Sequence, residues 1–460
     1  MLIRSADLVD LATGTSHLCD VRIVDGSIAN VGQLEPQEDE PVLAARGGTL
    51  LPGLHDHHMH LLSFAAALQS LRCGPPDITD ASALETALRS HAGQGWLRGV
   101  GYHERVAGDI DRAWLDRCIP SRPVRIQHRS GRLWILNSAA LDLLQAERSS
   151  AEQRLPADGR VYDQDLLMGQ RLGRQLPDVA AASQRLAQFG VTGLTDMTPV
   201  NDGDTLALMS QLQSDGDLLQ KVYLAGSPEL PFPSRTRWLS TGPTKFHLHD
   251  SQLPAFDTFC TDLRASHAQN RPIAVHCVTE TELVFTLAGL REAGTLPGDR
   301  IEHASVTPPA LLEQLQELGL MVVTQPNFVS ERGDAYLDEL PEADHASLYR
   351  CASLLRAGLR LAAGTDAPFG EADPWAAMSA AVSRITPDHR RLGPDECLSP
   401  EQAVSLFTGA AEDPAAARAV EPGAPADLCL LTAAWSDTRK DLESATVAAT
   451  LRDGEIIWRR

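Results

Sequence analysis

The middle of the chain alternates short apolar, strand-like runs with polar, helix-length segments. Apolar runs bounded by turn residues favour strands, and regular alternation with helices predicts βα units in a parallel sheet. Eight such units close into a (β/α)8 TIM barrel, which we place within residues 51–419. The eight runs are Leu50–His60, Val191–Met197, Lys221–Ala225, Lys245–His249, Ile273–Cys277, Arg300–Ala304, Met321–Gln325 and Leu359–Asp366.

The two ends of the chain show a different pattern of apolar and polar residues. Residues 1–50 and 420–460 alternate apolar and polar positions over short stretches, as in Leu18–Gly26 and Val447–Trp458. Chain ends often lie close together, so one composite β-sandwich domain built from both termini is expected. The gap between the first two barrel runs is too long for one crossover helix. We therefore expect an inserted subdomain at about residues 75–180, after the first barrel strand.

Charge and composition narrow the function classes. The formal net charge is -21, from 40 basic and 61 acidic residues, whereas nucleic acid and anionic membranes select basic faces. No apolar run is long enough to span a bilayer, and acidic residues interrupt the N-terminal stretch where a secretion signal needs an apolar core. The eight cysteines lack Cys-x-x-Cys spacing. The sequence thus predicts a cytoplasmic protein acting on a small molecule.

Metal-ligand side chains stand at the ends of five of the barrel runs. The first run carries His58 and His60, and residues two apart on a strand share a face, so this pair can bind one cation together. The carboxyl ends of barrel strands meet at one mouth, which predicts one divided metal site. The remaining ligand candidates are Lys245, His276, His303 and Asp366.

These motifs resemble the amidohydrolase superfamily, and most closely its amidohydrolase family 3 branch, which includes N-substituted formamide deformylases. The likeness covers nearly the whole chain. It rests on Pro52-Gly53 leading into Asp56-x-His58-x-His60, on the stretch Asn137-Ser138-Ala-Ala-Leu141, on the terminal strands and on the strand-end ligands.

The resemblance implies a hydrolase that cleaves an amide-type carbon–nitrogen bond, for example N-acyl or N-formyl, with a metal-activated water. It implies catalytic roles for Asp366, Lys245 and His303, with Asp366 as proton acceptor. His58, His60 and Asp366 would hold the more buried metal, and His276 and His303 the second. Lys245, carboxylated by carbon dioxide, would bridge two Zn²⁺ ions. A lysine with its ordinary pKa of about 10.4 suits a cation site only as such an anion. Manganese, iron and cobalt also accept these ligands.

The main alternative is a one-metal deaminase or dehalogenase acting on an aminated heterocycle. That class usually has a glutamate three residues after the fifth-strand histidine, where this chain has Thr279; Glu280 is one residue further on. A metal-storage or scaffold protein is a third interpretation. A homodimer is the expected assembly.

Substrate contacts are expected where the chain departs from its relatives. His249 stands where the branch usually has aspartate, with Asp250 following. In the insertion, Arg132 and Trp134 replace the usual pattern, and Arg132 is either a carboxylate clamp or a solvated surface residue. His55 and His57 face away from His58 and are expected to support ligands or to pack. Further pocket candidates are Tyr102, His103, Gln325, Asn327 and Arg350.

Overall fold

The structure is a computed structural model that describes residues 1–146, 155–172 and 176–460. Part of the expected insertion, residues 147–154 and 173–175, lies outside the described residues. In the described ranges, no helix has the length and apolar character needed to cross a membrane.

The strands, numbered along the chain, are β1 Leu2–Asp10, β2 Thr15–Val24, β3 Ser27–Gly32, β4 Val42–Ala44, β5 Thr49–Pro52, β6 Leu54–Met59, β7 Leu71–Arg72, β8 Leu97–Tyr102, β9 Val124–His128, β10 Leu133–Leu136, β11 Arg160–Tyr162, β12 Val191–Asp196, β13 Lys221–Gly226, β14 Leu239–His247, β15 Ile273–Cys277, β16 Arg300–His303, β17 Met321–Thr324, β18 Arg360–Ala363, β19 Leu428–Leu431, β20 Val447–Arg452 and β21 Glu455–Arg459.

The α-helices are α1 Leu61–Leu68, α2 Ala81–Ser90, α3 Glu104–Ala107, α4 Arg112–Cys118, α5 Ser138–Ala146, α6 Asp165–Leu172, α7 Val179–Gln188, α8 Gly203–Asp215, α9 Phe256–Ala268, α10 Glu280–Ala293, α11 Pro309–Glu317, α12 Asn327–Glu339, α13 Glu342–His345, α14 Cys351–Arg356, α15 Pro374–Ser383, α16 Pro400–Ser405 and α17 Trp435–Thr438. Two short 3₁₀ helices cover Asp250–Gln252 and Pro394–Glu396.

Strands from both termini form one sheet. Its order is β21-β20-β19-β5-β1-β2-β3, and β4 pairs with β1. The two ends are joined where β5 pairs with β1 on one side and with β19 on the other. Apolar side chains from both ends, such as Ile3, Val21, Leu430 and Leu451, are buried in one core. The termini thus build a single composite sheet, continuous across all eight strands.

The eight central strands form a nearly closed parallel barrel in the order β6-β12-β13-β14-β15-β16-β17-β18. The residues after β18 complete the ring against β6. The Asp366 N–H donates to the His58 carbonyl at 2.7 Å, and the Thr365 N–H donates to Asp56 Oδ1 at 3.0 Å. A Cβ on Gly364 would lie 2.3 Å from the His58 nitrogen, so only glycine permits this approach.

The first predicted run, Leu50–His60, is two strands and not one. β5 belongs to the terminal sheet, whereas β6 pairs with β12 in the barrel. Gly53 separates them, and its N–H donates to the Asp427 carbonyl at 2.8 Å. A continuous apolar run could not reveal this change of sheet, because both strands are fully buried.

Residues Leu62–Val179 form a second compact unit, and Met1–Leu61 with Ala180–Arg460 form the first. The second unit contains a sheet in the order β11-β10-β9-β8-β7. Its Asn137 is fully buried: Oδ1 accepts from the Val124 and Ala140 N–H groups, both at 2.9 Å, and Nδ2 donates to the Ile119 and Arg122 carbonyls. The Asn-Ser stretch therefore ties this unit together.

Candidate metal centre

His58 is oriented by a carboxylate inside the barrel. Its Nδ1 lies 2.5 Å from Glu302 Oε2, and Arg300 donates to both Glu302 oxygens. Burial would raise the pKa of Glu302, but Arg300 and His58 hold it well below its usual range. Burial, and then the nearby Lys245, lower the pKa of His58 to about 3. A neutral ring that donates from Nδ1 leaves the Nε2 lone pair for a metal.

His303 reaches the mouth because its backbone leaves the strand conformation. Regular alternation would place it opposite Glu302, but its φ is 70° and that of Ala304 is 47°. Non-glycine residues rarely adopt this region, and such strain concentrates at functional sites. His303 Nδ1 lies 2.6 Å from Gln325 Oε1. An amide oxygen can only accept, so Nδ1 carries the proton and Nε2 is available.

Asp366 is the point where the ligand candidates converge. Its Oδ1 lies 3.3 Å from His60 Nε2 and 3.6 Å from His58 Nε2. His60 Nδ1 in turn lies 3.0 Å from Thr198 Oγ1. Burial would raise the pKa of Asp366, but the hydrogen bond with His60 and the neighbouring His58 and His303 lower it, so it is a carboxylate. Within the described residues, ligand atoms of His58, His303 and Asp366 all lie within 4.8 Å of one another.

Lys245 lies inside the barrel on β14 and is only 6% exposed. Its Nζ has no hydrogen-bond partner among the described residues. Burial lowers its pKa to about 8. Neutral imidazoles, a carboxylate and a buried amine without a partner fit a divalent cation, because imidazole nitrogen and carboxylate oxygen are the ligands that zinc-like metals prefer.

His276 adjoins this group, with its ring centroid 4.4 Å from that of His303. It is also 4.5 Å from the ring of His247, its register partner on β14. β14 ends at His247, so His249 lies just beyond the strand, 4.4 Å from His247 and 6.2 Å from His276 between ring centroids. His276 therefore has the rings of both His303 and His247 as neighbours.

The four remaining substrate candidates of the first unit have diverse surroundings. Gln325 orients His303, as described above. Asn327 Nδ2 donates to the Thr365 carbonyl at 3.0 Å, while its buried Oδ1 has no partner among the described residues. Arg350 donates to Ser353 Oγ at 3.1 Å and to the Thr307 carbonyl at 3.3 Å. Asp250 begins a 3₁₀ turn, and its side chain is exposed.

The four candidates of the second unit are held by that unit's own groups. Tyr102 donates its hydroxyl to the Gly108 carbonyl at 2.6 Å. His103 caps α3 and accepts from the Arg105 N–H at 3.2 Å. The Arg132 guanidinium binds both oxygens of Asp163, at 2.8 and 2.6 Å. The structure thus gives no support to a free carboxylate clamp at Arg132.

Trp134 packs between two guanidinium groups of the second unit. The Arg98 and Arg125 Cζ atoms lie 5.3 and 5.4 Å from its ring centroid. Tyr102 and Arg132, but not Trp134, line a cavity of about 400 Å³ in this unit. These contacts are within the unit, and the role of Trp134 in substrate binding stays a prediction.

Two supporting residues were not identified from sequence. Glu302 directly precedes the predicted ligand His303 on β16, and strand alternation would place the two side chains on opposite faces. The available signal was the pair Arg300 and Glu302, two charged residues sharing one face of a buried strand. No sequence pattern indicates Thr198. It lies two residues beyond β12, and the pairing of barrel strands brings it to His60.

A parallel barrel with neutral histidines, a carboxylate and a buried lysine at its mouth defines a metal-dependent hydrolase. The profile of the Amidohydrolase family matches residues 42–458. The chain belongs to this family and is an enzyme that hydrolyses carbon–nitrogen bonds with a divalent metal.

Individual relatives are distant but nearly full-length. The chain is 23% identical to N-substituted formamide deformylase from Arthrobacter pascens, over 80% of each chain. It is also 23% identical to a Bacillus subtilis protein named amidohydrolase YtcJ, over 84% of this chain and 85% of that one. A solved metal-dependent hydrolase from Pyrococcus horikoshii, 18% identical, superposes with a TM-score of 0.78 over 95% of this chain and 98% of that one. The structural likeness supports the fold.

Proposed function

We propose that this protein hydrolyses an amide-type bond, N-acyl or N-formyl, of a small molecule. The observation that carries the proposal is Lys245, whose buried Nζ lies without a described partner close to the histidine cluster. An amine with a pKa of about 8 is partly neutral at physiological pH. Its lone pair can add to carbon dioxide and release one proton, which gives a carbamate anion.

Two divalent ions, Zn²⁺ in our proposal, would be held as the motifs imply. His58, His60 and Asp366 would bind one, His276 and His303 the other, and carboxylated Lys245 both. Bound metal supplies a polarised scissile carbonyl and a water of lowered pKa. The Nε2 atoms of His58 and His60 lie 3.6 and 3.3 Å from Asp366 Oδ1, which supports the first set directly. Support for the second set is the 4.4 Å between the ring centroids of His276 and His303.

The proton transfers fall to Asp366. Its lowered pKa keeps it a carboxylate, ready to accept the proton that water loses on attack. It can then return that proton to the leaving nitrogen, the usual division of general acid–base catalysis. Glu302 and Gln325 hold the His58 and His303 rings in one tautomer, which keeps both Nε2 atoms directed at the site.

The deaminase alternative gains no support from the fifth-strand loop. Thr279 caps α10, and its side chain accepts from the Glu282 N–H at 3.2 Å. Glu282 in turn accepts from the Val278 and Thr279 N–H groups. Its carboxylate is thus committed to the helix end, and Glu280 is exposed. We therefore favour amide hydrolysis over attack on an aminated ring.

The test uses the chain's unusual lysine content, since Lys221, Lys245 and Lys440 are its three lysines. We expect protein purified without chelator to carry two metals and an added mass of ~44 Da, the mass of carbon dioxide. Lys245→Ala should lose that mass, one metal and nearly all activity on N-formyl and N-acyl amides, with partial rescue by short carboxylic acids. Lys440→Ala is the matched control and should keep the added mass, both metals and the activity. Full activity in Lys245→Ala would end the proposal, and one metal without added mass would favour the deaminase.

We also propose a cytoplasmic location, since all eight cysteines are free and seven are buried, as suits a reducing compartment. A homodimer is our proposal for the assembly, to be tested by light scattering.

A further inference from the structure

Arg332 is a half-buried arginine at the same end of the barrel as the candidate metal centre. It lies on α12, which starts three residues after β17 ends. Its Nη2 donates to the carbonyl of Phe369, in the loop that follows β18. The Phe369 ring packs edge-on against His60, with 5.5 Å between centroids. Arg332 and His60 therefore contact the same residue.

The loop after β18, which contains Phe369, is a tight turn that also carries Asp366. The Phe369 and Gly370 N–H groups donate to the Asp366 carbonyl at 2.8 and 3.2 Å. A Cβ on Gly370 would lie 2.2 Å from Asn327 Nδ2, so α12 is pressed against this turn. The guanidinium of Arg332 is thus fixed to the segment that positions the proposed proton acceptor.

Arg332 uses little of its hydrogen-bonding capacity. A guanidinium has five N–H donors, and this one makes a single hydrogen bond to the described residues. No carboxylate oxygen of the described residues lies within 4.0 Å of its nitrogens. By contrast, buried Arg384 donates to the carbonyls of Leu348, Tyr349 and Leu392. Arg332 is therefore a cation whose protein contacts leave most donors available.

The adjacent carboxyl group of Glu331 accepts hydrogen bonds from other donors. Glu331 Oε1 accepts from Asn327 Nδ2 at 2.9 Å and from the Glu371 N–H at 3.0 Å. Burial raises the pKa of Glu331 to about 7. For Arg332, burial alone would lower the pKa, but nearby Tyr336 and Glu331 raise it overall, so the side chain stays charged.

The Phe328 ring fixes the plane of the guanidinium, whose Cζ lies 4.1 Å from the ring centroid. Stacking of this kind orients arginine and preorganises its fork of donors. A preorganised, unpaired fork matches a carboxylate, which accepts two parallel N–H bonds.

We propose that Arg332 binds a carboxylate of the substrate and makes the enzyme selective for amides that carry one. The statement about substrates rests on the proposed amide hydrolysis, whereas the binding of a carboxylate does not. The predicted clamp at Arg132 is already occupied by Asp163, and Arg332 has the free donors that such a role needs. A merely structural Arg332, needed only to anchor the Phe369 carbonyl, would treat charged and neutral ligands alike.

The first test compares matched substrates. N-formyl derivatives of glycine, β-alanine and 4-aminobutyrate would be assayed beside their primary carboxamides. Charge-assisted hydrogen bonds contribute enough for roughly a 10-fold effect or more. In Arg332→Gln we expect KM for the carboxylates to rise by about that factor, with KM for the carboxamides within about 2-fold. Arg332→Lys should fall between, and exposed Arg356→Gln is the matched arginine control. Equal losses on both substrate series would overturn the proposal.

The second test does not need turnover. Calorimetry would compare binding of 4-(methylsulfonylamino)butyrate, which has no hydrolysable amide, with its carboxamide. Wild type should prefer the carboxylate about 10-fold or more, and Arg332→Gln should lose the preference while keeping its melting temperature. No preference in wild type, or an unchanged preference in the variant, would contradict the assignment. If no amide is hydrolysed but the preference behaves as expected, the proposed reaction fails while the carboxylate site stands.

Discussion

Two clusters of histidine and carboxylate side chains differ in what their hydrogen bonds leave available. In the barrel, His58 and Glu302 are nearly fully buried, and His58 Nδ1 is hydrogen-bonded to Glu302. The Nε2 atom of His58 is directed toward Asp366. In the second unit, both ring nitrogens of His128 form hydrogen bonds, Nδ1 with Ser130 at 2.8 Å and Nε2 with Glu104 at 3.1 Å. Glu104 is 58% exposed. The two clusters thus share residue types, but burial and a ring nitrogen left available for a metal distinguish the barrel cluster as the candidate metal centre.

The largest effect should come from the carboxylate at which the barrel cluster converges. Asp366→Asn removes the charge that faces His58 and His60 and the base that accepts the proton. We expect activity to fall about 10³-fold, measured as kcat/KM on an N-formyl amide. The corresponding change in the second cluster, Glu104→Gln, should leave activity within about 2-fold of wild type. Comparable losses in the two variants would erase the distinction drawn between the clusters.

Orientation of His58 is the next feature to test. Glu302→Gln keeps the size of the side chain but removes the charge that fixes the Nδ1–H tautomer. Loss of such a supporting hydrogen bond typically costs about 10–100-fold in metal affinity, which competition with a chelator would measure. An unchanged metal affinity would show that burial alone orients the ring. Glu280→Gln, at an exposed position on α10, is the control.

Buried and exposed carboxyl groups should also differ in the pH dependence of stability. The pKa of Glu331 is raised by burial to about 7, so the folded state binds a proton that the unfolded state releases between about pH 4.5 and 7. Its contribution to stability is complete below pH 4.5 and is lost as pH rises through 7. The loss is at most about 3 kcal/mol.

Glu331→Gln should therefore become more stable relative to wild type at pH 8 than at pH 5, as measured by denaturant unfolding. Exposed Glu104→Gln should show no such trend. A Glu331→Gln variant whose difference from wild type is constant across this range would refute the raised pKa.

The smallest effect is expected at Arg132. Its pair with Asp163 is about one-third exposed on both sides, and exposed ion pairs contribute about 0–1 kcal/mol. Arg132→Ala should change the free energy of unfolding by less than about 1 kcal/mol. It should leave KM unchanged for both charged and neutral amides. A rise in KM confined to carboxylate substrates would return the clamp role to Arg132.

The barrel was predictable because its strands are buried on both faces and therefore stand out as short apolar runs. Seven of the eight runs correspond to a barrel strand, with ends shifted by a few residues, as at β14, which begins at Leu239. The first run was predicted as one strand but is two. A buried strand of the terminal sheet and a buried barrel strand have the same apolar character, so the run looked continuous. Only the pairing partners distinguish β5 from β6.

The proximity of the ligand candidates was predictable where they lie at strand ends, whereas contacts between residues distant in sequence were not. His58, His60, His303 and Asp366 meet as their positions at strand ends predict. The partner of Arg132 is 31 residues away along the chain, and no local pattern indicates Asp163. His303 is placed by a left-handed backbone that alternation cannot anticipate. Such features depend on the folded environment of each residue.

The three lysines also make this protein accessible to spectroscopy. Lys245 is buried, whereas the side chain of Lys221 is 29% exposed and that of Lys440 is 71% exposed. Lysine labelled with ¹³C at Cε should give one resonance per residue, three in all, from three distinct environments. Titration of those signals, with and without ¹³C-enriched bicarbonate, would report the chemical state of the barrel interior without any substrate in hand.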